Sequence, residues 1–126
     1  MSQPLSPDDE HALALGLEAY EAGDYFAAHE HWELAWKRMR EPERRWIQGL
    51  IQLATALYKL SQDKPEGTRK LCERAAPKLA DAPPCLGDID LGAARAHVAR
   101  LAASLAQAAP APHALTGWSI RAGAAR

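Results

Sequence analysis

Apolar residues recur along this chain at helical spacing. Leu13, Leu17 and Tyr20 fall three and four apart and line one side of a first helix. Ser6 precedes Pro7, and Asp8, Asp9 and Glu10 follow. That is a capping hydroxyl, a proline in the first helical position and acids at the positive end of the helix dipole. Gly23 supplies the stop. Asp24 then caps a second helix running to about Met39, with Tyr25, Ala28, Trp32, Ala35, Trp36 and Met39 on one arc. His31, Lys37 and Arg38 fall outside that arc. A third helix, from about Pro42 to Gln62, carries Trp46, Leu50, Leu53, Leu57 and Leu60 as one stripe. Ile47, Ile51, Ala54 and Tyr58 widen the stripe past half the circumference, leaving Gln48, Gln52, Thr55 and Lys59 as a polar strip. A helix so apolar is expected at the centre, packed on several sides.

The fourth helix starts near Pro65 and presents Leu71, Cys72, Ala75 and Leu79. Pro77 lies inside it and predicts a kink or an early end. Residues 81–88 hold Pro83, Pro84 and Gly87 and read as a loop. A fifth helix begins at Asp90 and carries Leu91, Ala94, Val98, Leu101 and Leu105. No segment sustains the period-two alternation of a strand. The expectation is an all-α fold: residues 1–109 as a single compact domain of about five antiparallel helices with short loops, helix three central. Residues 110–126 lose the periodicity and read as a mobile C-terminal tail, in which Trp118 and Ile120 are available to dock.

Composition narrows the function classes. The chain has 126 residues, 48% hydrophobic and 25% charged, the balance of one globular domain. The net charge of -1 offers no global field for nucleic acid. The basic runs Lys37-Arg38-Arg40 and Arg44-Arg45 bracket one turn and read as solvated helix ends. No apolar run approaches the roughly 18 residues of a membrane span. The polar, acidic start lacks the features of a signal peptide, so a cytoplasmic protein is expected. Cys72 and Cys85 have no CxxC spacing and read as reduced thiols.

The stretch from Gly16 to Ala35 partly resembles one tetratricopeptide unit, with Gly16, Ala28, Trp32 and Ala35 at that repeat's spacing. Adding 34 lands on Leu50 and Gln62, which do not continue the pattern, so a single helical hairpin is expected.

The candidate chemistry sits in His29 to Trp36, which reads H-E-H-W-E-L-A-W. A zinc hydrolase motif would need a second histidine four residues after His29, where Glu33 stands. His29 and Glu33 supply two ligands where a catalytic zinc takes three from the protein, so no metal site and no cofactor are expected. Glu30 and Glu33, three apart, form a carboxylate pair beside tryptophans, an environment that strips water and suits proton transfer. A third reading is structural: His29 and Glu33 bond one another and tie helices together. A partner surface built on exposed tryptophan is a fourth. A turn centred near Glu41 puts Gln52 level with Glu30 and Gln48 with Leu34 in an antiparallel pair. Amides on so apolar a helix need partners, so they are expected to face the carboxylates in one polar pocket.

The run Tyr25-Phe26-Ala27-Ala28-His29-Glu30, with Glu33 and Trp36, precedes Gln48-Gly49-Leu50-Ile51-Gln52-Leu53-Ala54 and Ala56-Leu57-Tyr58. In this it resembles the small helical family of domains of unknown function numbered 309, whose pattern is H-E-x-x-E-x-x-W followed by Q-G-L-I-Q-x-A-x-A. Gly67-Thr68 stands where that family has Gly-Ala. The resemblance covers about Leu17 to Leu79. It implies an all-helical fold and marks His29, Glu30, Glu33, Trp36, Gln48 and Gln52, without implying a function. Three readings stay open: a small-molecule binder or enzyme using that pocket, a helical adaptor or self-associating module, and a metal-dependent activity of His29 and Glu33. Whether the chain is an enzyme is left unassigned. A small-molecule or protein partner and a homo-oligomer are retained, nucleic acid is disfavoured, and no membrane role is expected.

Overall fold

A computed structural model describes residues 5–107 and 118–123. Its elements in chain order are α1 (Pro7–Glu21), α2 (Tyr25–Arg38), α3 (Glu43–Ser61), α4 (Pro65–Leu79), β1 (Cys85–Leu86), β2 (Ile89–Asp90) and α5 (Leu91–Leu105). Three helix starts are capped by short polar side chains. Ser6 Oγ accepts from the Asp9 N–H at 3.1 Å, Asp24 Oδ1 from Ala27 at 3.1 Å and Asp90 Oδ1 from Ala93 at 2.8 Å. Each cap satisfies a backbone donor that the first helical turn leaves open.

Consecutive helices pack on one another, and their end contacts show that they alternate in direction. The Trp32 indole N–H donates to the Leu13 carbonyl at 3.2 Å, while Tyr20 meets Tyr25 near the turn that joins α1 and α2. Phe26, at the start of α2, touches Tyr58, near the end of α3. The Thr68 hydroxyl of α4 donates to the Ala56 carbonyl of α3 at 3.2 Å. A hydrogen bond of 2.6 Å between Tyr20 Oη and His97 Nδ1 then joins α5 to α1. Helix α3 is the most buried element, and Leu50, Leu53, Ala54, Ala56 and Leu57 are wholly inside. At about 1.5–3 kcal/mol per large apolar side chain, this row is the main hydrophobic term of the domain.

Two glycines set the helix spacing. A Cβ on Gly16 would stand 2.2 Å from the Trp32 indole nitrogen, so only glycine lets α2 lay that ring on α1. This is the packing behind the tetratricopeptide-like spacing of Gly16 and Trp32. A Cβ on Gly49 would meet Leu79 Cγ at 2.8 Å, so α4 closes on α3 in the same way.

Three segments bear on the expected pattern. Residues 85–90, expected as loop, form an antiparallel hairpin with Leu86 paired to Ile89 across Gly87-Asp88. Gly87 has φ +58°, the left-handed value that this tight turn demands of its first central residue. Part of the expected tail is also docked. Ile120 is fully buried, its carbonyl accepts from the Asp90 N–H at 2.7 Å, and the Ala122 N–H donates to the Asp88 carbonyl at 2.7 Å. Residues 118–122 thus border β2, and Trp118 stacks on His97. The remainder of 110–126 lies outside the described residues. Lastly, α4 runs through Pro77 and ends at Leu79. Among the described residues no helix is long and apolar enough to cross a membrane.

Candidate functional site at the seam between α2 and α3

Spacing on each helix builds two facing ridges. His29, Glu33 and Trp36 lie four and three apart on α2; Arg44, Gln48, Gln52 and Thr55 lie four, four and three apart on α3. Contacts pin the ridges together at both ends. Near the turn, the Arg44 guanidinium lies 4.1 Å from the centre of the Trp36 ring. At the far end, the Phe26 and Tyr58 rings are 5.3 Å apart, and His29 and Thr55 line one groove. Counting inward from Phe26 and Tyr58 brings Gln52 level with Trp32, and counting inward from Trp36 and Arg44 brings it level with Ala28, so the two contacts bracket the expected level of Glu30.

The six expected site residues differ in exposure. Glu30 is exposed and stands apart from the seam. His29 Nε2 and Glu33 Oε1 pair at 3.2 Å, with their side chains 25% and 43% exposed. Trp36, Gln48 and Gln52 are half-buried along the seam. Of the six, His29 lines a groove of about 170 Å³ together with Tyr25, Phe26, Thr55, Tyr58 and Lys59. Among the described residues, no three His, Cys, Asp or Glu side chains are grouped as metal ligands.

Hydrogen bonding along the seam is incomplete. Among the described residues, four buried side-chain atoms lack a hydrogen-bond partner: Trp36 Nε1, Glu43 Oε1, Arg44 Nε and Gln52 Oε1. All four belong to α2 or α3. Buried polar atoms are bonded in the great majority of cases, because each orphan costs about 1–3 kcal/mol. Neighbouring polar groups are satisfied. The Thr55 hydroxyl donates to the Ile51 carbonyl at 2.8 Å, and Gln62 Nε2 donates to the Tyr58 hydroxyl at 3.1 Å. Lys59 enters none of the ion pairs among the described residues. Its aliphatic stem runs over Gly67 of α4, where a Cβ would approach Lys59 Cδ to 2.8 Å.

The basic residues around the turn are drawn into the fold. Arg38 bonds Asp9 at 2.9 Å, and Arg45 bonds Asp81 at 2.6 Å while Arg44 covers Trp36.

The segment carrying this seam has relatives. The family model described as "Domain of unknown function (DUF309)" matches residues 13–71. Residues 13–71 are similar to that family. The DUF309 segment spans most of α1, all of α2 and α3, and the first half of α4. The hairpin, α5 and the docked residues 118–122 lie beyond it. An uncharacterized protein of Aquifex aeolicus (strain VF5) is 30% identical over 81 residues, which is 64% of this chain and 24% of that protein. The chain thus spans about a quarter of that relative's length.

Sequence reasoning overlooked four residues of the seam. Thr55 and Lys59 were within reach, since they complete the polar strip that holds Gln48 and Gln52. Phe26 carries a weaker signal: it is a large aromatic outside the arc led by Tyr25, and it is 47% exposed. Arg44 had no signal apart from its place in a basic run.

Proposed function

We propose that the seam between α2 and α3 of this DUF309 segment binds a small planar anion. The ring lies against Phe26 and Tyr58, and the charge meets Lys59. The observation that carries the reading is an open aromatic groove lined by Phe26, Tyr58 and a Lys59 that enters no ion pair among the described residues. Volume limits the ligand: an apolar cavity of about 150 Å³ holds one benzene ring, so the groove suits a one-ring compound. Charge sets the sign, because Lys59 lines the groove without a carboxylate partner.

Benzoate is the probe, read by chemical-shift perturbation of the Phe26 and Tyr58 signals. Benzoate is expected to move these signals saturably, benzyl alcohol to bind at least tenfold more weakly, and Lys59→Ala to remove the preference. Equal binding of benzoate and benzyl alcohol, or an unaltered preference in Lys59→Ala, overturns the reading.

A second reading has its own observation. Phe26 and Leu34 are 47% and 52% exposed and lie eight apart on α2, with Glu30 midway on the same face. On that reading the face is a docking or self-association surface. Sedimentation equilibrium separates the two: a monomer at all concentrations removes the self-association reading and leaves the ligand reading standing.

A further inference from the structure

A second, larger cavity of about 500 Å³ lies away from the seam, between the N-terminal half of α1 and the tip of the β1–β2 hairpin. Its volume falls within the roughly 300–1,000 Å³ common to small-molecule sites. Three core side chains make its floor: Leu13, Leu17 and Ile89 are 4%, 1% and 1% exposed. Glu10 of α1 and Asp88 of the hairpin turn line it from opposite sides. Both residues are exposed, and neither joins any ion pair among the described residues. Most other acids of the protein are engaged. Asp9 holds Arg38, Glu18 and Glu21 hold Arg121, Asp81 holds Arg45, Glu66 and Glu73 hold Arg69, and Asp24 and Asp90 cap helices. Arg121 also feels Asp88, but its guanidinium is placed on Glu18 and Glu21. His11 completes the polar rim.

An apolar floor under two carboxylates that join no ion pair among the described residues selects for a cation with a hydrocarbon tail. The N-terminus of α1 opposes a cation with about half a positive charge. Two full carboxylates, with Asp8 exposed in the same helical turn, outweigh it. We propose that this cavity binds a primary alkylammonium compound, its ammonium between Glu10 and Asp88 and its chain over Leu13, Leu17 and Ile89. The site is separate from the groove at Phe26 and Tyr58, and its occupancy does not depend on that groove.

Hexylammonium, hexanol and hexanoate are the probes, titrated into the full chain by calorimetry and by chemical shifts of the Leu13 and Ile89 methyl groups. Hexylammonium is expected to bind at least tenfold more tightly than hexanol, and hexanoate not to bind. The double variant Glu10→Gln, Asp88→Asn is expected to bring hexylammonium down to the level of hexanol. Ala14→Phe, at an exposed position lining the cavity, is expected to block both while leaving the circular-dichroism melt unchanged. Equal affinity for hexylammonium and hexanol overturns the charge assignment. Binding that survives Ala14→Phe, or no methyl shift at millimolar hexylammonium, overturns the site.

Discussion

Trp32 and Trp36 lie four residues apart on α2, and their surroundings differ sharply. Trp32 is fully buried against Gly16, and its N–H is bonded to Leu13. Trp36 is half-buried under Arg44, and its N–H is buried without a partner. One turn of helix therefore separates a closed seam, α1 on α2, from an incomplete one, α2 on α3. The difference comes from what faces each ring. Glycine lets the first indole reach a backbone carbonyl. The second indole meets a guanidinium, which has donors and no acceptor. The closed seam is where the molecule stores stability; the incomplete seam retains hydrogen-bonding capacity that a ligand can use.

The largest expected effect is on the closed seam. Trp32→Ala is expected to lower the unfolding free energy by about 3–5 kcal/mol in urea titrations, the usual cost of emptying an indole from a core. Gly16→Ala follows. Alanine would gain up to about 1 kcal/mol of helix propensity, but its Cβ overlaps a ring held on both sides, at a cost of about 1–3 kcal/mol. Net destabilisation is expected, and a gain in stability would show that the indole is free to shift and the seam less closed than it looks.

Trp36→Phe is expected to behave oppositely. It removes a buried donor that bonds nothing, so stability should stay within about 1 kcal/mol of the parent or rise, and benzoate binding in the groove at Phe26 and Tyr58 should be unchanged. A loss as large as that of Trp32→Ala would erase the contrast between the seams. Glu33→Gln is expected to cost less than about 1 kcal/mol, since the pair it breaks is partly exposed. Unfolding of that variant would assign His29 and Glu33 to the scaffold.

A pH dependence is expected as well. Burial pushes the Cys72 thiol up from 9.0 to about 11, and burial also raises the Tyr20 phenol. The unfolded chain loses these protons first, so it binds fewer protons than the native state above the ordinary thiol value. Stability is therefore expected to hold below pH 9 and to decline toward pH 11. Cys72→Ala should flatten that decline. At pH 8, iodoacetamide should modify the exposed Cys85 and leave the buried Cys72 intact. Modification of both at equal rates would show that the core around α4 opens readily.

Much of the fold is legible in the chain itself. The apolar period, the three polar caps and the prolines at helix starts determine five helices and their ends, because these signals act within one or two turns. The apolar girth of α3 determines its central place, because only burial on several sides removes so much surface from water. What the sequence left open depends on groups far apart in the chain. Strands of two residues are too short to show a period, so the hairpin at 85–90 was concealed, although Gly87-Asp88 between Leu86 and Ile89 is a turn signal. Ile120 is buried only because β2 offers its carbonyl a donor and the core offers its side chain a place. The candidate site divides in the same way. The ridges of α2 and α3 follow from residue spacing alone. Which residues meet across them is decided at contacts such as Phe26 with Tyr58 and Trp36 with Arg44. Whether a polar atom on those ridges is satisfied or orphaned is decided by what the neighbouring helix presents at that height, and no local pattern encodes it.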